Sequence, residues 1–133
     1  MSHENVELVR RAYEAFNRGD LDGMFADAAP AFEYFATGVI PGAGGVYRGP
    51  EEYRRFLERW WGEFEEPEVD VHEFIDAGDQ VLVSLTFRGR GKQSGVETHW
   101  SLWQLWTARA GKVVRGQGFT NREAALEAVG LRE

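Results

Sequence analysis

Val96-Glu97-Thr98-His99-Trp100-Ser101-Leu102-Trp103-Gln104-Leu105-Trp106-Thr107-Ala108 reads as two interleaved rows. One row is Val96, Thr98, Trp100, Leu102, Gln104, Trp106 and Ala108; the other is Glu97, His99, Ser101, Trp103, Leu105 and Thr107. A period of two is the signature of a β-strand, whose successive side chains point to opposite faces of a sheet. The first row is the more apolar and is expected on a covered, concave face. Gln104 then stands as an amide inside an aromatic row. A buried amide without partners costs roughly 1–3 kcal/mol, so protein, water or ligand must satisfy it.

Three more strand-like runs flank this one, at 69–75, 80–88 and 112–120. The connections Asp76-Ala77-Gly78-Asp79, 89–95 and Arg109-Ala110-Gly111 are short, so neighbouring strands are expected to be antiparallel. In register with the concave row, Val114, Gly116, Gly118 and Thr120 should point inwards. Two inward glycines leave space, to be taken by long neighbours such as Trp100 and Trp106 or kept as a cavity.

Upstream the period changes. Val6, Val9, Tyr13 and Phe16 recur at helical spacing over 5–18. Gly19 suits a left-handed helix terminus, and Asp20 can cap a second short helix carrying Leu21, Met24 and Phe25. A short strand at 32–35 precedes a glycine-rich loop at 37–49, which reads as a flap over a pocket mouth or as a plain surface excursion. Pro50 opens a third helix with the stripe Tyr53, Phe56, Leu57, Trp60, Trp61 and Phe64. A last helix at 122–129 ends at Gly130. Helices grouped before a meander imply an α+β fold in one domain over 1–133, with helices on one face of a curved antiparallel sheet.

Composition narrows the function. Of 133 residues 43% are hydrophobic, enough for a core, and 15 basic against 22 acidic residues leave a net charge of −7. That balance argues against nucleic-acid and anionic-membrane surfaces, which need clustered Lys and Arg. The absence of cysteine removes thiolate metal sites and cysteine nucleophiles. His3, His72 and His99 stand alone, without a second ligand at metal spacing, so no metal and no cofactor are expected. No apolar run approaches a membrane span and no secretory leader opens the chain, so a cytoplasmic location is expected.

The candidate residues follow from the faces. Gln104 is either a core amide bonded within the protein or an amide that orients a ligand. Tyr13 and Tyr34 could contribute hydroxyls. His99 falls on the convex row with Trp103 and Leu105, aromatic and apolar residues that a homodimer through that face would cover, as would the chain's own tail. Pro41-Gly42-Ala43-Gly44-Gly45 lacks the third glycine of a dinucleotide fingerprint.

The opening Glu4-Asn5-Val6-Glu7-Leu8-Val9-Arg10-Arg11 through Phe16-Asn17-Arg18-Gly19-Asp20 resembles that of the SnoaL-like families. So do Tyr47-Arg48-Gly49-Pro50, Phe74-Ile75-Asp76-Ala77-Gly78-Asp79 and Arg122-Glu123-Ala124-Ala125-Leu126-Glu127-Ala128. These families belong to the nuclear transport factor 2-like superfamily, which includes ketosteroid isomerase. The resemblance implies a cone: a strongly curved sheet wrapped around N-terminal helices, a pocket at its open end, and usually a dimer. Isomerase chemistry of this type uses a carboxylate base and an oxyanion hole of a tyrosine and a protonated aspartate. Here the tyrosine position falls near Ala12 with Tyr13 beside it, the base near Tyr34 just after Glu33, and the second acid near Gln104. The inward aspartate of SnoaL-type cyclases corresponds roughly to Gly118.

The leading expectation is a binder of a small hydrophobic molecule. Its pocket would hold ~300–1,000 Å³, lined by Phe16, Tyr34, Phe56, Trp60, Phe87, Trp100 and Trp106. Gln104, with Tyr13 or Tyr34, would supply directional hydrogen bonds. One alternative is an enzyme of proton transfer, dehydration or cyclisation on a small carbonyl or polyketide-like compound, with Glu33 or His99 as base and a tyrosine as acid. Another is a dimeric interaction module using the convex face.

Overall fold

The computed structural model describes residues 2–40 and 43–130. Helix α1 (Ser2–Asn17) buries Val6, Val9, Tyr13 and Phe16, the stripe expected from their spacing. Asn17 ends it by binding both the N–H and the C=O of Val69, at 2.8 and 2.9 Å, which ties the helix to strand β3 (Phe64–Ala77). Gly19 is left-handed at φ 75°, and the Asp20 carboxylate accepts from the Gly23 N–H to cap α2 (Leu21–Met24). Helix α3 (Pro50–Trp61) buries Tyr53, Phe56 and Leu57. Phe64, expected in its stripe, opens β3 instead and packs edge-on against Trp60.

The strands form one curved, unclosed six-stranded sheet in the order β2-β1-β6-β5-β4-β3. The meander of β3, β4 (Gln80–Gly91), β5 (Glu97–Arg109) and β6 (Lys112–Phe119) is antiparallel throughout, as its short turns require. Strand β1 (Ala28–Ile40) lies parallel to β6, an exception that no tight turn forbids because α3 and the whole meander separate the two in sequence. The glycine-rich segment read as a loop is a β-hairpin: β2 (Ala43–Arg48) pairs with β1 at the sheet edge, and Tyr47 stacks on Phe56 of α3. Pro41 and Gly42 lie outside the described residues.

The parity of 97–108 is as expected, whereas Val96, expected on the covered row, lies just before β5 and is exposed at 58%. Trp100, Leu102 and Trp106 join the core beneath α1 and α3, and Phe87 and Val83 of β4 face the same way. On β6 the parity slips. A register shift between Thr107 and Ala108 pairs Ala108 with Val113, so Val113 packs on the core where Val114 was expected. Thr120 lies past the strand and is exposed. Gly116 lies between Tyr34 of β1 and Trp106 of β5, and a Cβ there would sit 2.7 Å from the Tyr34 ring and closer still to Trp106. The space that this glycine opens is filled by those two rings.

Helix α4 (Arg122–Ala128) crosses to the opposite face. Its Ala125 and Leu126 bury Leu82 and Leu105, with Ile75, Trp103 and Phe119 around them, and the Arg122 guanidinium lies 5.3 Å from the Trp103 ring centroid. The tail thus covers apolar residues whose exposure argued for a homodimer through the convex face.

Candidate functional site

Four side chains from three elements meet inside the cone. Trp106 Nε1 donates to the Tyr13 hydroxyl at 2.8 Å. Tyr13 donates to Gln104 Oε1 at 2.5 Å, and Gln104 Nε2 donates to the Tyr34 hydroxyl at 2.9 Å. The helical stripe of α1 puts Tyr13 over β5, while Gln104 and Trp106 are two apart on one strand and so share a face. Tyr53 of α3 stacks on Tyr34 with ring centroids 4.4 Å apart. Burial pushes the Tyr13 phenol well up, outweighing the Trp106 hydrogen bond that pulls it down. Burial likewise pushes Tyr34 up to about 12 against the bonds from Gln104 and Tyr53, and Tyr53 is raised by burial too. All three are neutral hydrogen-bonding groups at physiological pH.

Two cavities flank this network. The inner one is small, about 60 Å³, and is lined by Phe16, Tyr34, Phe56, Trp60, Trp61, Phe87, Gln104 and Trp106 among others. It has room for a couple of waters at most. The outer one is about 310 Å³, opens between α1, α2 and the start of β1, and is lined by Leu8, Val9, Ala12, Ala15, Met24, Phe25, Ala28, Phe32 and Val113. Tyr13, Met24, Tyr53 and Trp106 line both and form the wall between them. Arg11, Glu14, Arg18 and Asp27 also border the outer cavity; Arg11 and Glu14 are exposed there, and Arg11 pairs with Asp27 at 3.7 Å.

A model of the SnoaL-like domain matches residues 9–116. The chain belongs to the SnoaL-like domain family. Among solved structures, a nuclear transport factor 2-like protein from Burkholderia thailandensis E264 is 30% identical, over 87% of this chain and 89% of its own, with a TM-score of 0.78. A nuclear transport factor 2-like protein of unknown function from Burkholderia pseudomallei K96243 is 26% identical, over 96% and 98%, with a TM-score of 0.78. A putative SnoaL-like polyketide cyclase from Jannaschia sp. CCS1, at 22% identity over 98% and 94% and a TM-score of 0.77, shares the fold. No curated protein matches the chain.

In this SnoaL-like chain the residues singled out from sequence fall into three places. Phe16, Tyr34, Phe56, Trp60, Phe87, Gln104 and Trp106 meet around the inner chamber, and Tyr13 joins them there. Trp100 stacks on Phe87 at 5.6 Å and lines neither of these cavities. Glu33 and His99 lie outside. Glu33 pairs with Arg48 across the β1–β2 hairpin at 3.5 Å, and His99 is exposed on the convex row. Among the described residues no charged side chain is buried, and no three of His, Cys, Asp and Glu stand close enough to hold a metal ion. No described helix is long and apolar enough to cross a membrane.

The outer cavity was missed in the sequence. Its signal is a set of small residues, Ala12 and Ala15 on α1, Ala26 just before β1 and Ala28 at its start, where larger ones would fill the gap between α1 and the sheet. Helical spacing places Tyr53 in an apolar stripe and says nothing of where its hydroxyl ends.

Proposed function

We propose that the protein binds a small, largely apolar molecule in the outer cavity, with the tyrosine network as its polar end. The observation that carries this reading is a cavity of about 310 Å³ walled by aliphatic and aromatic side chains and ending on Tyr13, Tyr53 and Trp106. That volume reaches the lower end of the range for small-molecule sites, whereas the inner chamber of about 60 Å³ does not. Ala12 is half-buried on the cavity wall. Ala12→Phe is therefore expected to fill the cavity and abolish the rise in melting temperature that apolar aromatic compounds give the wild type, while the unliganded protein keeps a similar melting temperature. Unchanged ligand stabilisation in that variant would place the site elsewhere.

Proton-transfer or cyclase chemistry has less behind it. The bases considered, Glu33 and His99, line neither the inner nor the outer cavity, and the acids bordering the outer cavity, Glu14 and Asp27, are solvated or ion-paired. A general base must come within hydrogen-bond reach of the proton it removes. Self-association through the convex face also has less to drive it, since α4 buries Leu82 and Leu105 there. If that face does dimerise, Trp103→Glu should convert the dimer to a monomer in sedimentation, and a dimer that survives would exclude the face.

A further inference from the structure

Part of the outer cavity is walled by a short strap of chain, in which Gly23, Met24, Phe25 and Ala26 line the space together with Ala12 and Ala15 of α1. The strap is fixed at its two ends. Gly19 turns the chain at φ 75°, the Asp20 N–H donates to the Ala15 C=O at 2.9 Å, and the Val113 N–H donates to the Asp27 C=O at 2.8 Å. Each end also carries an ion pair with α1, Arg18–Asp20 at 3.6 Å and Arg11–Asp27 at 3.7 Å. Between these anchors the hold is weaker. Among the described residues, the backbone of 21–26 makes hydrogen bonds only within 20–28. Leu21, Met24 and Phe25 pack on the core, yet none of them is fully buried. A segment with few buried contacts and a backbone bonded only to itself opens at lower cost than the sheet around it. Among the described residues one polar side-chain contact ties 21–26 to another element. Arg54 of α3 donates to the Asp22 carboxylate at 2.6 Å, and Glu58, one turn further along α3, flanks the same guanidinium at 3.8 Å.

We infer that the Asp22–Arg54 pair is the latch of this strap and sets how fast a ligand enters and leaves the outer cavity. The inference rests on the binding reading above and adds to it the route of entry and its control. Neither Asp22 nor Arg54 lines the cavity, so the pair does not touch what is bound. It steadies the closed strap to the same extent whether the cavity is empty or full. Loosening it raises the open fraction in both states, so entry and release quicken together while the affinity stays where it was. Met24 and Phe25 are the side chains that such an opening carries away from the cavity. Met24 is unbranched and repacks readily, and Phe25 rests edge-on against Tyr53 with ring centroids 5.9 Å apart. The latch itself is open to solvent, the Asp22 side chain at 87% exposure and that of Arg54 at 34%. An exposed ion pair shifts an equilibrium by a factor of about 1.5 to 5 and weakens as salt screens it.

Stopped-flow quenching of tryptophan emission by 1-naphthylamine, whose near-ultraviolet absorption overlaps that emission, tests it, since Trp106 lines the cavity. Asp22→Asn should raise the association and dissociation rate constants together, by about 1.5- to 5-fold, and leave Kd unchanged. Arg54→Gln breaks the same pair from the side of α3 and serves in its place if Asp22→Asn does not fold. At about 1 M salt, where the screening length falls to about 3 Å, the ratio of variant to wild-type rates should approach one. Wild-type rates in the folded variant, a ratio that persists at high salt, or a change confined to dissociation with Kd rising in step overturns the inference and leaves the binding reading standing. Absence of binding by the wild type overturns both.

Discussion

Carrying the protein from neutral to strongly alkaline pH is expected to unfold it cooperatively, with stability beginning to fall near pH 10. Tyr13, Tyr34 and Tyr53 are buried at 7%, 6% and 4% exposure, and burial raises all three phenols, Tyr34 to about 12. In the unfolded chain they ionise at about 10. Because the folded values are the higher ones, the stability the neutral phenols confer is complete below pH 10. It declines as the unfolded chain ionises, and is lost as pH rises through the folded values. For Tyr34 the interval from about 10 to about 12 corresponds to about 3 kcal/mol, and Tyr13 and Tyr53 act in the same direction. The Tyr34 contribution alone is a sizeable part of the ~5–15 kcal/mol that holds a typical domain folded. Tyrosinate absorbance and far-ultraviolet circular dichroism followed against pH should show a shared steep transition. Full tyrosinate formation near pH 10 in a protein that keeps its ellipticity would show these phenols to be open to water.

Phe87→Ala is expected to be the most damaging single truncation in the core. Phe87 is fully buried and its ring centroid lies 3.9 Å from that of Trp61, 4.9 Å from Trp60, 5.4 Å from Phe64 and 5.6 Å from Trp100. Removing a buried phenyl costs about 3–5 kcal/mol, since the lost transfer energy is joined by a cavity the surroundings cannot close. In a domain of this size the melting midpoint should drop by roughly 10–20 °C. Phe87 borders the inner chamber, so the new void adds to space already there. Benzene should then restore part of the loss, as ligand binding to a dry apolar cavity does. A loss under about 1 kcal/mol, or no response to benzene, would mean that the surrounding tryptophans collapse into the gap.

How far the sequence could be read depends on the kind of information each element carries. Parity in 96–108 placed Trp100, Gln104 and Trp106 on the helix side correctly, because alternation is local and strict. The same rule misplaced Val114, since a bulge opposite Thr107 and Ala108 consumes one residue and shifts parity beyond it, and nothing in 112–120 announces a bulge. The hairpin at 43–48 was hidden by its glycines, which read as loop although pairing with β1 holds them extended. Gln104 was recognised as an amide needing partners. That both partners are the tyrosines at 13 and 34 emerged only when residues 91 and 70 positions away were brought alongside.

From the residues alone came the α+β order of elements, the meander, the stripes of α1 and α3 and the face on which the tryptophans stand. Each of these is set by periodicity and turn length within a few residues of chain. The partition of the interior into a packed chamber of about 60 Å³ and an open one of about 310 Å³ came from the tertiary structure. So did the outward placing of Glu33 and His99 together and the crossing of α4 to the convex face. Periodicity tells which side chains share a surface. The gap between two surfaces depends on how residues distant in sequence fit against each other, and small differences in that fit separate a filled core from a binding site.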